Sequence, residues 1–196
     1  MKLIAVTTEK FFDRETEGVT ALFKEGLERL HLRKPEATEA ETANWLTAIP
    51  AAFHSRIVLH DHFKLATIFP LGGIHLNRRN PSPIVQKGSV SRSCHSLTEI
   101  RESNGLDYYF LSPVFDSISK AEYRATINLN EVAEAFRQKA IPCEVYALGG
   151  ITPARMQTVK QTGFAGAAIL GALWGNFPID KNIEALIARY HLFSNK

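Results

Sequence analysis

The sequence lacks the features of secreted, membrane-spanning and nucleic-acid-binding proteins. Cys94 and Cys143 are its only cysteines, too few for a disulfide framework, so we expect both thiols to be reduced. No apolar run reaches the ~18 residues of a membrane-spanning helix, and the N-terminal apolar stretch is too short for a signal peptide. The net charge of +3 is mild, and like charges form no long run. These absences predict a cytoplasmic protein without a nucleic-acid or membrane partner.

The composition is that of an ordinary globular domain. Hydrophobic residues make up 45% of the 196-residue chain and charged residues 22%. A chain of this length can bury a sizeable core. No linker, low-complexity segment or tract rich in proline, glycine and serine interrupts the sequence. We therefore expect a single domain over residues 1–196.

Short β-rich runs alternate along the chain with longer stretches of helical character. Several of these runs are continuously apolar, a pattern typical of strands buried on both faces of a parallel sheet. Eight strand-and-helix units in one domain predict a compact (β/α)8 TIM barrel of the α/β class, and an open doubly wound sheet is the alternative. The predicted strands are Leu3–Thr7, Leu30–Arg33, Ile57–His60, Gly73–Leu76, Ser89–His95, Tyr108–Phe115, Glu144–Leu148 and Ala167–Leu173.

Helix caps can be identified between these strands. Thr38–Glu41 and Ser96–Glu99 both have the capping-box pattern. Asn130 is expected to cap the helix that follows it, and Gly163 to end the helix that begins near Thr152. The connections after the third and fourth strands are short for full helices, so we expect trimmed helices there.

In a TIM barrel the chemistry lies at the carboxyl ends of the strands, so the polar residues there are the candidates. Alternation places His31 and Arg33 on the face toward the barrel interior. A charged arginine there must either meet an anion or pair with a carboxylate such as Asp61. His60 and His62 flank Asp61 but point away from it, which disfavours a histidine-rich metal site, whereas Asp61 suits Mg²⁺.

The fourth and fifth strands add polar side chains at the same end of the barrel. His75 and Asn77 share one face, and Ser93 and His95 share another. A satisfied core histidine is the alternative for His75. Ser93 is not expected to act as a nucleophile, because the sequence has no Gly-x-Ser-x-Gly elbow, so hydrogen bonding to a ligand is favoured.

The last three strand ends are rich in hydroxyl groups and glycine. Ser117, Ser119 and Lys120 follow the sixth strand, where they could meet an anion or form an ordinary polar loop. Glycines after the seventh and eighth strands let backbone N–H groups approach a phosphate. These glycines are Gly149, Gly150 and Gly171.

The order of these motifs resembles that of thiamine phosphate synthase and of its relative, the thiazole tautomerase, over about Leu3 to Leu173. The strongest segment, Ser112–Lys120, resembles the synthase pattern Gly-Pro-[Ile/Val]-Phe-Pro-Thr-x-Thr-Lys. In combination with four further segments the similarity is specific. Those segments are Gly73–Leu76, Ser93–Glu99, Ala147–Ile151 and Gly166–Leu173.

The resemblance implies a transferase of thiamine biosynthesis that joins hydroxymethylpyrimidine diphosphate to thiazole phosphate and releases pyrophosphate. Small phosphorylated substrates are then the expected partners, and a homo-oligomer is left open. The implied catalytic residues are Arg33, Ser93, Lys120 and His31, with Asp61 as a ligand of Mg²⁺. The implied phosphate-binding residues are Ser117, Ser119, Gly149, Gly150 and Gly171, and the pocket-lining residues are His60, His75, Asn77 and His95.

The sequence departs from the synthase pattern at several positions. The motif Gln-x-Arg-x-Lys reads His31–Pro35, so its lysine is replaced by proline, although a lysine precedes it. The second metal aspartate of the synthase falls on Asn80, and the loss of a carboxylate should weaken Mg²⁺ binding. The neighbouring Arg78 and Arg79 are expected to supply part of the missing positive charge.

Two alternative functions remain at this point. The first is an isomerase like the thiazole tautomerase, in which His31, His75 or His95 acts as acid and base. The histidine in the tautomerase's Gly-His-Val-Phe stretch is Pro113 here. The second alternative is a non-catalytic binder of a phosphate from the thiamine pathway.

Overall fold

The barrel is closed. The computed structural model describes residues 1–103, 105–116 and 127–194. Eight parallel strands pair in chain order, and β8 pairs with β1. The predicted TIM barrel is confirmed, and the open-sheet alternative is wrong. The strands are β1 Lys2–Val6, β2 Arg29–Leu32, β3 Ile57–Leu59, β4 Gly73–Leu76, β5 Ser89–Cys94, β6 Tyr108–Leu111, β7 Glu144–Leu148 and β8 Gly166–Ile169.

Helices of uneven length surround the strands. The first four are α1 Glu15–Lys24, α2 Glu39–Ala48, α3 Leu97–Glu102 and α4 Leu129–Arg137. The others are α5 Met156–Thr162, α6 Gly171–Trp174, α7 Phe177–Asp180 and α8 Ile183–Ser194. Short 3-10 helices cover Ala51–Arg56, Phe63–Thr67 and Pro153–Arg155. Residues 77–88, all of them described, contain no helix, so the connections after β3 and β4 are trimmed as predicted.

Local sequence signals set several of the helix ends. Thr38 forms the predicted capping box with Glu41, and the Ser96 side chain accepts a hydrogen bond from the Glu99 N–H. Gly163 ends α5 in the left-handed conformation, with φ of 98°. The prediction for Asn130 is wrong, because Asn128 caps α4 and its side chain accepts from the Asn130 N–H.

Two of the predicted strands, β6 and β8, end four residues earlier than predicted, and the ends of the others differ by at most one residue. Pro113 has no N–H to donate, and β6 stops at Leu111 rather than Phe115. Beyond β8, the Trp174 N–H bonds to the Leu170 carbonyl, which begins α6 where the continuation of a strand was predicted. The segments that follow these two strands lie at the carboxyl end of the barrel, where the site is.

The barrel has an outer and an inner apolar layer. Leu30 and Leu32 pack under the helices, whereas His31 faces inward, as alternation predicts. A small apolar cluster fills the interior and includes Tyr108 and Phe110. This closed interior leaves the carboxyl ends of the strands as the floor of a cavity. Among the described residues, no helix has both the length and the hydropathy to span a membrane.

Candidate functional site

A cavity of about 510 Å³ opens at the carboxyl ends of the strands. Two groups of its lining residues differ in chemistry. The arginine edge consists of Arg33 and Arg79, and the glycine edge consists of Gly149, Gly150 and Gly171. Other polar residues that line the cavity are Glu9, His60, His75, Asn77, Ser93 and Ser112.

The end of β1 positions Arg33. The Arg33 N–H donates to the Thr7 hydroxyl (2.9 Å), and that hydroxyl donates to the Arg33 carbonyl (3.2 Å). The Arg33 guanidinium pairs with Glu9, with 2.8 Å between Nη1 and Oε1. The alternative pairing of Arg33 with Asp61 is therefore wrong. Glu9 lies in the loop after β1, outside any recognisable motif, so no sequence signal pointed to it.

The next residue along the chain, Lys34, points away from the cavity. Its Nζ lies 2.7 Å from Oε1 of Glu15, and both side chains are almost completely buried, at 2% and 1% exposure. Trp45 also donates its indole N–H to Glu15. Burial lowers the pKa of Lys34 and raises the pKa of Glu15, although each partner's charge opposes the shift. Lys34 therefore cannot replace the lysine that is missing from the Arg33 motif.

The surroundings of Asp61 do not fit a magnesium ion. Arg79 donates to both carboxylate oxygens of Asp61, from Nε at 3.0 Å and from Nη2 at 3.1 Å. Asn80 donates its amide to Oδ1 at 3.0 Å. A magnesium ion needs oxygen ligands whose lone pairs face it, and here three of the roughly four acceptor sites of the carboxylate already take hydrogen bonds. Mg²⁺ at Asp61 stays a prediction that this donor set does not support.

Three histidines form the floor of the cavity. Nδ1 of His31 lies 2.9 Å from Nε2 of His60, and Nε2 of His31 lies 2.8 Å from the Tyr108 hydroxyl. His75 stacks on His60, with ring centroids 4.2 Å apart. The two ring nitrogens of His75 contact hydroxyls of β5, Ser91 at 2.8 Å and Ser93 at 2.9 Å. His31 lies beneath the cavity, and His60 and His75 line it.

The histidine floor is uncharged near neutral pH. Burial lowers the pKa of His75 to about 3 and holds the pKa values of His31 and His60 well below their ordinary value. Nearby cations lower the pKa of His60 further, Arg33 and Arg79 among them. Nitrogen atoms of the three rings come within 4.8 Å of one another, as in a metal site. A metal would have to replace the hydrogen bonds that these rings make to one another and to Ser91, Ser93 and Tyr108.

His95 lies outside the cavity, contrary to the expectation that it shares a face with Ser93. β5 ends at Cys94, so the alternation stops before His95. The chain then turns to enter α3: the His95 N–H donates to Glu99, and its ring contacts the Ser112 carbonyl. Ser93 does line the cavity, and its hydroxyl is held by His75.

The glycine edge presents main chain to the cavity. Gly149 and Gly150 have φ of 96° and 62°, which disfavours any residue with a side chain. A Cβ on Gly150 would lie 2.4 Å from the Asp116 carbonyl oxygen. The Arg155 guanidinium donates to the Gly150 carbonyl at 2.6 Å and thereby fixes the turn after β7. The predicted phosphate ligands Ser117 and Ser119, and with them Lys120, lie outside the described residues.

Comparison with known proteins identifies the family. A family model described as thiamine monophosphate synthase matches residues 3–173. The chain belongs to this family. A crystal structure of thiamine phosphate pyrophosphorylase from Bacteroides thetaiotaomicron is 44% identical, with a TM-score of 0.86 over 100% of this chain and 96% of that one.

Two more distant relatives support the family assignment and the fold. The thiamine-phosphate synthase of Latilactobacillus sakei subsp. sakei is 29% identical over 160 residues, which cover 77% of this chain and 70% of that protein. Thiamine phosphate pyrophosphorylase from Pyrococcus furiosus supports the fold, at 20% identity and a TM-score of 0.77 over 99% of this chain and 96% of that one. The prediction of a thiamine phosphate synthase-like transferase in thiamine biosynthesis is confirmed.

Three residues in or beside the cavity wall of this thiamine phosphate synthase family member were missed or underrated from sequence: Glu9 and Arg79 line the cavity, and Arg155 bonds to Gly150 of its glycine edge. Arg79 was expected to add general positive charge, and the structure gives it a defined partner in Asp61. Glu9 and Arg155 had no expected role. An arginine after a β-strand is a signal that could have found Arg79, whereas the contacts of Glu9 and Arg155 depend on residues distant in sequence.

Proposed function

We propose that this chain joins hydroxymethylpyrimidine diphosphate to thiazole phosphate and releases pyrophosphate. The observation that carries the proposal is that two chemically different anion-binding edges face a single cavity. A reaction between two phosphorylated substrates requires that both be held with their reacting atoms adjacent. The arginine edge and the glycine edge supply one anchor for each substrate.

The arginine edge is assigned to the diphosphate, because guanidinium groups bind phosphate oxygens through paired hydrogen bonds. In the reaction, the bond between the pyrimidine methylene carbon and the diphosphate oxygen breaks, and the leaving pyrophosphate takes the electron pair. Arg33 and Arg79 stabilise the charge that develops on the leaving group. The resemblance gives Lys120 the same task.

The histidine floor is suited to the other product of this bond cleavage, a cationic pyrimidine. A protonated histidine would repel that cation, and His60 and His75 are held neutral by burial. Phe110 also lines the cavity and helps to exclude water from the cation. The thiazole nitrogen then bonds to the methylene carbon, which completes thiamine phosphate.

The glycine edge is assigned to the thiazole phosphate. Backbone at Gly149, Gly150 and Gly171 lets a phosphate approach without a side chain in the way. The resemblance adds the hydroxyls of Ser117 and Ser119.

The experiment is a pyrophosphate-release assay with purified protein and both precursors. We expect pyrophosphate and thiamine phosphate in equal amounts, and kcat/KM lower by about 10- to 100-fold in Arg33→Ala. Arg137→Ala is the matched control, since Arg137 also pairs with a carboxylate but lies exposed on α4. Absence of pyrophosphate release by the wild-type protein contradicts the proposal.

The histidine floor favours one second candidate, an isomerase of a thiazole phosphate. His60 lines the cavity and is linked through His31 to Tyr108, a chain that can pass a proton in either direction. Incorporation of solvent deuterium into a thiazole phosphate, lost in His60→Asn, would support this activity. Binding of thiazole phosphate with neither deuterium incorporation nor pyrophosphate release would indicate the non-catalytic binder.

A further inference from the structure

The carboxylate of Asp61 is committed to an arginine. Nε and Nη2 of Arg79 reach its two oxygens in the paired geometry that guanidinium and carboxylate groups prefer. The Asp61 side chain is 11% exposed and that of Arg79 is 44% exposed. Arg79 lines the cavity, whereas Asp61 does not.

The loop after β4 is built to hold this pair. Asn77 and Asn80 exchange main-chain hydrogen bonds with each other, both at 3.1 Å. The Asn77 side-chain oxygen accepts from the Arg79 N–H at 2.9 Å. The amides of Asn77 and Asn80 both donate to the His60 carbonyl, which ties the loop to the end of β3. Arg79 therefore leaves the main chain at a fixed position beside Asp61.

The charges at this position balance without a metal. The synthase pattern places two aspartates here, whose two negative charges equal the double positive charge of Mg²⁺. In this chain the second aspartate is Asn80, so Asp61 contributes one negative charge and Arg79 one positive charge. A magnesium ion added to this pair would leave two uncompensated positive charges close to Arg33.

We propose that Arg79 takes the place of the divalent cation, so that a diphosphate group binds to Arg79 and Arg33 without Mg²⁺. The inference rests on the proposed assignment of the arginine edge to the diphosphate. Arg79 lines the same cavity as Arg33, and its Nη1 donates to no residue in the described ranges. A guanidinium supplies hydrogen bonds of fixed direction where a metal supplies coordination.

The test measures the affinity for inorganic pyrophosphate by calorimetry, in EDTA and in Mg²⁺. The wild-type protein is expected to bind pyrophosphate in EDTA, and Arg79→Ala to weaken that binding by about 10- to 100-fold. Arg78→Ala is the matched control, because Arg78 is the exposed neighbour of Arg79 and does not line the cavity. Binding by the wild-type protein that requires Mg²⁺, or equal affinity in Arg79→Ala, overturns the proposal.

A reverse variant sharpens the test. Arg79→Ala combined with Asn80→Asp restores two carboxylates and removes the guanidinium, so pyrophosphate binding should become dependent on Mg²⁺. Equal affinity in EDTA and in Mg²⁺ for this variant contradicts the equivalence of Arg79 and a metal. Thermal unfolding of each variant shows whether it is folded, and the wild-type measurement in EDTA needs no variant.

Turnover separates this inference from the proposed function. If the wild-type protein makes thiamine phosphate only with Mg²⁺, the function stands and the role of Arg79 is wrong. If it makes none under any condition but binds pyrophosphate in EDTA through Arg79, the function is wrong and the arginine site stands.

Discussion

The arginine edge and the glycine edge, the two proposed anion sites, are built by different means, and they differ in how far they follow the family pattern. At Gly149 and Gly150 the glycine edge uses main chain whose positive φ angles and close contacts exclude side chains, and its sequence matches the synthase motif. The arginine edge uses side chains, and the motifs around it depart from the synthase pattern at His31, Pro35 and Asn80. A site made of main chain restricts the residue type at each of its positions. A site made of charged side chains needs a particular total charge, and more than one kind of cation can supply it.

The largest expected effect is a loss of stability in a Lys34 variant, and it shows whether Lys34 belongs to the arginine edge. Lys34→Met should lower the free energy of unfolding by about 3–5 kcal/mol, because it leaves Glu15 buried without its cation. Arg33→Ala should change stability by less than ~1 kcal/mol, since its pair with Glu9 is partly exposed to solvent. Urea denaturation measures both. Restored stability in Lys34→Met combined with Glu15→Gln would show that the unpaired carboxyl is the cause.

The histidine floor beneath both edges predicts a pH-dependent stability. Unfolded histidine has a pKa of about 6.5, and the folded protein holds the pKa of His75 at about 3 and those of His31 and His60 well below their ordinary value. The folded state therefore binds fewer protons, so stability is complete above about pH 6.5 and is lost as the pH falls. Each histidine should contribute ~1.4 kcal/mol per pH unit.

Urea unfolding at several pH values between about 8 and 5 measures this slope, over a range that spans the titration of unfolded histidine. His31→Gln removes one of the three groups and should make the slope shallower. A free energy of unfolding that stays constant below about pH 6.5 would mean that the floor accepts protons in the folded state.

A substitution at Gly150 tests the glycine edge. Gly150→Ala should destabilise the protein by about 1–3 kcal/mol and raise the KM for thiazole phosphate, because the added Cβ would lie 2.4 Å from the Asp116 carbonyl. Gly105→Ala is the control: Gly105 also has a positive φ, of 94°, but a Cβ there meets no atom within 4 Å. If the two variants have equal stability and KM, the close contact is not what makes Gly150 necessary.

The smallest expected effect concerns the acidic neighbour of the arginine edge. Glu9→Gln removes the carboxylate that pairs with Arg33, so pyrophosphate affinity should rise by up to about fivefold. The gain should shrink at high salt, because Glu9 is half exposed and its charge is screened. Calorimetry at low and high salt measures it. Weaker binding in this variant would mean that Glu9 positions Arg33 rather than competing with the anion.

Short-range patterns in the sequence were sufficient to predict the barrel, the caps of Thr38 and Ser96, the inward direction of His31 and the glycine turns. Each depends on neighbours a few residues apart, where periodicity, capping and backbone freedom act. The family resemblance identified Arg33 and Asp61 as candidates in the same way, from short motifs.

The ion pairs, in contrast, depend on the tertiary structure. Arg33 pairs with Glu9 and Lys34 with Glu15, and Asp61 is committed to Arg79, although the sequence offered Asp61 as a partner for Arg33 or for Mg²⁺. His95 lies outside the cavity, contrary to prediction, because the chain turns into α3 just after Cys94. Charge pairing depends on distances between residues far apart along the chain, and the packing of strand ends and loops at the barrel mouth sets those distances.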